Sequence, residues 1–198
     1  SHASVEVNGE EICYWAYGYN TFDCPIPSHL LTGDSIDIDV YLENKPQQSR
    51  WYPGAGLYRN VHLVESDAIH IPTFGVLVRT PKVSTDFASV AIEVELMNGM
   101  NELTSEKFNE LMSEGIRIQT DILYGEEVVA TMEGAKSEVV VKKTKLWSPE
   151  TPHLYTARTR VYKSQELLDE RETRFGFRTI SYTAENGFQL NGQTRKFK

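Results

Sequence analysis

The stretch Val90-Ala91-Ile92-Glu93-Val94-Glu95-Leu96 decides the fold class. Large apolar side chains stand at every second position, with alanine and two glutamates between them. Successive side chains of a strand point to opposite faces, so this run offers one face to a core and the other to water. Working outward, the pattern returns at Ile36, Ile38, Val40 and Leu42, which alternate with Asp37, Asp39, Tyr41 and Glu43. It returns again at Ile116, Ile118, Thr120 and Ile122. Residues 154–162 and 172–177 are two further candidate strands, and 61–64 is a short one. Asn8-Gly9 and Asn191-Gly192 each separate two strand-like runs, and Asn-Gly accepts the positive φ that a two-residue hairpin turn needs. Many short strands with turn signals between them predict an all-β sandwich and not a parallel α/β sheet.

One segment departs from this rule. Thr104 is placed to cap a helix, with Glu106 in its first turn, Phe108, Leu111 and Met112 on one face, and Gly115 at its end. Two to three turns are expected there, inserted between strands, with the apolar face covering the sandwich.

The chain has 198 residues, 40% of them hydrophobic, enough for one large or two modest domains with real cores. The longest apolar runs, such as Val139-Val140-Val141, are too short to cross a membrane as a helix. The formal net charge is −8 and the basic residues are scattered. Lys142, Lys143 and Lys145 form one small cluster and read as a solvated strand edge, so nucleic acid and anionic membrane are poor partners. Cys13 and Cys24 lack CxxC spacing and have no histidine beside them, which gives no support for a zinc site. They suit a disulfide if their strands are neighbours, but buried free thiols are the expected state. No cofactor or metal is called for, and the compartment is left open.

A domain boundary is expected near 65–71. The segment beyond it, 67–181, is close to the ~100 residues of an immunoglobulin-like sandwich with room for the helix. Residues 1–66 are thin for an independent sandwich, and 182–198 form a closing hairpin. The chain starts almost inside a strand and stops inside a hairpin arm, whereas domains begin and end in linkers. The expectation is a piece of a longer protein, with open strand edges through which it could form a homo-oligomer.

The sequence Ser49-Arg50-Trp51-Tyr52-Pro53-Gly54-Ala55-Gly56-Leu57-Tyr58-Arg59-Asn60-Val61 carries the functional signal. Pro53 fixes one backbone angle and the two glycines permit positive φ, so a tight shaped loop is expected. Arginines and aromatics crowd it. A sugar ring has an apolar face for an aromatic and hydroxyls for polar groups, so this composition suits a saccharide. The same residues also suit a loop that packs a domain junction.

This stretch resembles the segment that closes the sugar-binding domain of glycoside hydrolase family 2, the group of β-galactosidases, β-mannosidases and β-glucuronidases. Three further stretches are similar to that family, in order. Val5-Glu6-Val7-Asn8-Gly9-Glu10 with Tyr17-Gly18-Tyr19-Asn20-Thr21-Phe22 resembles its jelly-roll hairpin. Leu146-Trp147-Ser148-Pro149-Glu150-Thr151-Pro152-His153-Leu154-Tyr155 resembles a loop of its immunoglobulin-like domain. Arg174-Phe175-Gly176-Phe177-Arg178, with Phe188-Gln189-Leu190-Asn191-Gly192, resembles its approach to the catalytic barrel. The resemblance implies that 1–66 is the end of a jelly-roll sugar-binding domain, 67–181 an immunoglobulin-like domain, and 182–198 a hairpin leading into a (β/α)8 barrel. It also implies a parent that hydrolyses β-galactosides, with β-mannosides and β-glucuronides as alternatives. Both catalytic glutamates would then lie on the barrel, the partner of this segment within the same chain. Arg50, Trp51 and Tyr52 are the candidate substrate-binding residues. Some family members carry an acidic residue near Arg50, so this sequence departs from them there.

A carboxylate pair within the chain would offer another route to catalysis. Asp37 and Asp39, and likewise Glu93 and Glu95, share strand faces at roughly 6.5–7 Å between α-carbons. That spacing arises on the wet face of any amphipathic strand. The five histidines, His2, His29, His62, His70 and His153, show no ligand spacing, and no serine nucleophile motif is present. The segment by itself is expected to be inactive. A carbohydrate-binding or structural module without an enzyme is the alternative reading.

Overall fold

The computed structural model describes residues 2–45, 54 and 56–196. The chain divides into two compact units, Ser1–Val64 and Glu65–Lys198.

In the first unit, β1 (His2–Val7), β2 (Glu10–Trp15) and β3 (Ile38–Glu43) form an antiparallel sheet in the order β2-β1-β3. The expected Asn8-Gly9 turn joins β1 to β2, with φ of 51° and 81° at its two residues. Asn8 does more than turn the chain. Its side chain donates to the Leu30 carbonyl at 2.9 Å and accepts from the Asp37 amide at 3.0 Å, which ties the long β2–β3 connection to the hairpin. Ala3, Val5, Val7 and Leu30 are the buried apolar residues here. Two expectations change. Ile36 precedes β3 and lies outside it. Residues 61–64 form no strand and pair with none of the described ones, and Val61 and Leu63 stay 69% and 73% exposed.

The second unit begins with β4 (Ile69–His70), β5 (Val76–Arg79), β6 (Phe87–Val94), β7 (Met97–Asn98) and β8 (Asn101–Glu102). Helix α1 (Ser105–Ser113) follows, then β9 (Ile116–Tyr124), β10 (Glu127–Glu133), β11 (Lys136–Lys142), β12 (Tyr155–Lys163) and β13 (Glu166–Phe175). The chain closes with β14 (Ile180–Thr183), β15 (Gly187–Leu190) and β16 (Gln193–Thr194). One sheet runs β10-β9-β12-β13 and another β11-β6-β5. Val90, Ile92 and Val94 of β6, Val141 of β11, Ile116, Ile118 and Ile122 of β9, and Ala157 and Val161 of β12 belong to a single buried cluster. The alternation in 90–96 therefore has the predicted consequence: its apolar residues fill the space between two sheets. Thr120, at a core position of β9, is tolerated because its hydroxyl meets that of Thr159 on β12 at 3.0 Å, both fully buried.

The helix forms as its sequence predicts. Thr104 caps it by accepting from the Lys107 amide, and Gly115 follows its end at φ 94°. Phe108, Leu111 and Met112 pack on the edge of the core. The fold is thus all-β with one short inserted helix, and the two main sheets hold seven strands, the number of a constant-type immunoglobulin sandwich.

Candidate functional site

Arg50, Trp51 and Tyr52 lie outside the described residues. The flank of their loop does not, and it meets the other motif of the first unit. The Tyr58 hydroxyl donates to the Gly18 carbonyl at 3.4 Å, and the Arg59 guanidinium lies 5.5 Å from the centre of the Tyr58 ring. Residues 17–22 and the end of the 49–61 stretch are therefore neighbours.

Residues 14–22 carry a dense set of aromatics. Trp15 and Phe22 stack with centroids 5.6 Å apart and planes 9° apart, and Tyr17 meets Tyr19 edge-on at 5.7 Å. Tyr14, Tyr17 and Tyr19 are more than half exposed. A disulfide closes the base of this segment: Cys13 on β2 bonds to Cys24, with α-carbons 5.6 Å apart. This corrects the expectation of free buried thiols. The chain returns past β2 after residue 22 and brings two partly buried cysteines together. Such a staple restricts the unfolded chain and holds the aromatic segment in one course.

The second unit assembles its motifs differently. Trp147 donates its amide to the Phe177 carbonyl at 2.8 Å, and Arg178 lies 4.9 Å from the centre of the Trp147 ring. A Cβ at Gly176 would stand 2.9 Å from the Trp147 Cβ, so glycine is required by the closeness of the indole. Asn191 reaches across with its amide, donating to the Trp147 carbonyl at 3.0 Å and accepting from the Thr179 amide at 3.0 Å. Glu150 receives both terminal nitrogens of Arg195 at 2.5 and 3.1 Å. That hydrogen bond holds the Glu150 carboxyl below the usual glutamate range. Three sequence motifs thus become one knot that fastens the closing sheet to the sandwich. Arg195 was not singled out by sequence; its pairing with a residue 45 positions away leaves no local signature.

Neither carboxylate pair expected from the sequence, Asp37 with Asp39 or Glu93 with Glu95, is buried. Glu93 is held by Arg79 at 2.5 Å and Lys136 at 3.5 Å. The Asp37 amide is engaged with Asn8, and Asp39 stands opposite Glu6 on an open sheet face. Asp121, the most buried acid, is neutralised by Arg160 at 2.9 Å and accepts from Thr131 at 2.7 Å. His153 bonds the Tyr124 hydroxyl at 2.9 Å beside the buried Tyr155 ring. Among the described residues, no three His, Cys, Asp or Glu side chains come together as metal ligands do. An open depression of about 390 Å³ beside the start of α1, lined by Asn98, Asn101, Glu102, Leu103, Thr104 and Lys107, holds no paired acids either.

The first unit thus carries an exposed aromatic segment, and the second a braced closing sheet. The model of the family described as glycosyl hydrolases family 2 matches residues 70–178, more than half of the chain. The chain belongs to glycoside hydrolase family 2. Over 199 residues it is 33% identical to a Formosa agariphila protein provisionally named a β-glucuronidase, which covers 100% of this chain and 18% of that protein. It is 32% identical to the β-galactosidase BoGH2A of Bacteroides ovatus, covering 98% of this chain and 23% of that one. A crystal structure of a family 2 member from Bacteroides cellulosilyticus superposes with a TM-score of 0.80 at 29% identity, over 100% of this chain and 26% of that chain. The chain spans about a fifth of the length of the curated relatives it matches. The fold class is that of the family: an immunoglobulin-like β-sandwich preceded by part of a jelly-roll β-sandwich.

Proposed function

We propose that this chain is a non-catalytic β-sandwich region of a retaining glycoside hydrolase acting on β-galactosides, and that it supports and shapes an active site built by a barrel elsewhere in the parent protein. The observation that carries this reading is the match itself: nearly the whole chain aligns with under a quarter of a β-galactosidase. The engaged state of Glu93, Asp121 and Glu150 supports the non-catalytic part. In the parent, one barrel glutamate would protonate the leaving group and the other would form a glycosyl-enzyme intermediate, the two being ~5–5.5 Å apart. Arg50, Trp51 and Tyr52 would contact substrate or brace the rim of that site.

The first measurement is an assay of the full-length parent and the 198-residue chain on nitrophenyl β-galactoside, β-mannoside and β-glucuronide. Cleavage of the galactoside by the parent and of nothing by the chain is expected. Cleavage by the folded chain would overturn the non-catalytic role. The Formosa agariphila relative favours the second substrate, β-glucuronide, and preferential cleavage of that sugar would replace the first. Arg50→Ala in the parent should change KM or kcat; unchanged kinetics in a folded variant would remove Arg50 from the site.

A further inference from the structure

We propose that the outward face of the β2-β1-β3 sheet is a surface binding site for an extended, uncharged, β-linked oligosaccharide that stacks on Tyr14 and Tyr41. The strand register builds this face. Ser4 stands opposite Tyr14 on β2 and opposite Tyr41 on β3. Residues directly opposite in an antiparallel pair share a face, so Tyr14, Ser4 and Tyr41 form a row across the strands. Neighbouring strands lie ~4.8 Å apart, which places the two tyrosines about 9.5 Å from each other with only a serine between them. That separation is comparable with the advance of two rings along an extended β-linked hexopyranose chain. A saccharide laid across the strands would therefore rest alternate rings on the two phenols.

The rings are available and partly fixed. Tyr14 and Tyr41 are 55% and 56% exposed. The His2 ring lies nearly parallel to Tyr14 with centres 5.6 Å apart, and the Tyr14 hydroxyl is hydrogen-bonded to His2 Nδ1. The Ser4 hydroxyl donates to Glu11. A preorganised surface loses less freedom when a ligand arrives. The fold does not use these aromatics for packing, since Ala3, Val5 and Val7 on the other face of β1 are the buried ones.

The polar groups select the ligand. Glu6 pairs across with Glu11 and with Asp39, and His2 with Glu43, so the row is flanked by four carboxylates. Among the described residues, only Glu43 of these four has a cation beside it, Lys45 at 3.3 Å. Carboxylates are good acceptors for sugar hydroxyls and repel polyanions. Uronate or sulfated chains are thereby disfavoured and neutral glycans favoured. This site breaks no bond; it would hold polymer at the surface of a hydrolase.

The test is affinity electrophoresis of the 198-residue chain in gels containing a neutral β-1,4-glucan, a neutral β-1,4-galactan or an acidic β-linked glucuronan. Retardation in a neutral gel and none in the acidic gel is expected. Tyr14→Ala and Tyr41→Ala should each weaken retention by about tenfold, the scale of one lost aromatic contact, while the phenylalanine variants keep it. Tyr182→Ala, at an exposed tyrosine of the second unit, should change nothing. Unchanged mobility of a chain with native circular dichroism in both neutral gels would overturn the proposal. So would retardation that survives the double Tyr14→Ala, Tyr41→Ala variant. Because the readout is binding without turnover, the result is independent of whether the parent cleaves galactosides.

Discussion

In the second unit Tyr155, Phe175 and Phe177 pack edge-to-face around a shared core, with Phe177 fully buried. In the first unit Tyr14, Tyr17, Tyr19, Tyr41 and Tyr58 are mostly exposed above a core of four small or medium residues. The same residue types serve two ends. The second unit uses Tyr155, Phe175 and Phe177 in cohesion and leaves Phe74, Phe87 and Tyr182 outside with its salt-bridged polar groups. The first displays its tyrosines and relies on a hairpin, the Asn8 side chain and a disulfide for its shape. The sandwich draws its cohesion from a packed core, and the thinner unit leaves its tyrosines at the surface.

The comparison breaks most readily at the sandwich core. Phe177→Ala removes a fully buried ring from the contact with Tyr155 and Phe175, and should cost about 3–5 kcal/mol. Chemical denaturation followed by tryptophan emission should show the loss in the transition that reports Trp147. A cost below about 1 kcal/mol would mean that the second unit is not held by this cluster.

The first unit should fail by a different route. Cys24→Ser opens a short loop, and the chain-entropy estimate for a closed loop of this length is about 2–3 kcal/mol. Hydrogen exchange should then quicken in β1, β2 and residues 14–22, and the amides of β9 and β12 should be unaffected. Loss of protection in both units together would show that they do not behave as separate folding units.

A smaller effect tests how the sandwich tolerates polarity. Thr120→Val deletes one partner of the buried hydroxyl pair and leaves Thr159 without it, a change of about 1–2 kcal/mol. The double variant Thr120→Val, Thr159→Val should recover most of that loss, because an apolar pair of the same shape has nothing left to satisfy. A double-mutant cycle by urea unfolding measures the coupling.

These contrasts also explain what was legible in sequence. The hairpins at Asn8-Gly9 and Asn191-Gly192, the α1 cap at Thr104 and the alternation at 90–96 are local signals, and each appears where it was expected. Strand β10 escaped notice because its burial follows no clean alternation and residues 128–130 cross a register shift, whereas β11 alternates in burial but its valines were read only as a short apolar run. The run 61–64 has strand composition, yet a strand also needs a partner edge, which composition does not supply. The Cys13–Cys24 bond depends on how the irregular segment 16–23 returns, and the knot around Trp147 on contacts between residues far apart in the chain. The candidate residues Arg50, Trp51 and Tyr52 came from motif resemblance, and their geometry lies outside the described residues.

The smallest effect expected concerns the fastening of the closing sheet and depends on pH. Glu150 is exposed, and its carboxyl is held below the usual range first by the hydrogen bond from Arg195 and then by its own backbone. A carboxylate whose folded-state pKa is depressed adds stability that is fully present above the unfolded value, about 4.3 for glutamate, and is lost as pH falls through the lower folded value. Between pH 7 and 5 the clasp should therefore be constant. Below about pH 4 protonation should release Arg195, with exchange quickening first in β15 and β16 and the sandwich interior protected. Glu150→Gln should show that faster exchange already at neutral pH and no further change on acidification. Since Asn191 and the Trp147 backbone still join the two parts, the sheet should loosen without detaching. Acid-induced opening that persists in Glu150→Gln would assign the effect to another group and leave the Glu150–Arg195 pair as a surface contact with no fastening role.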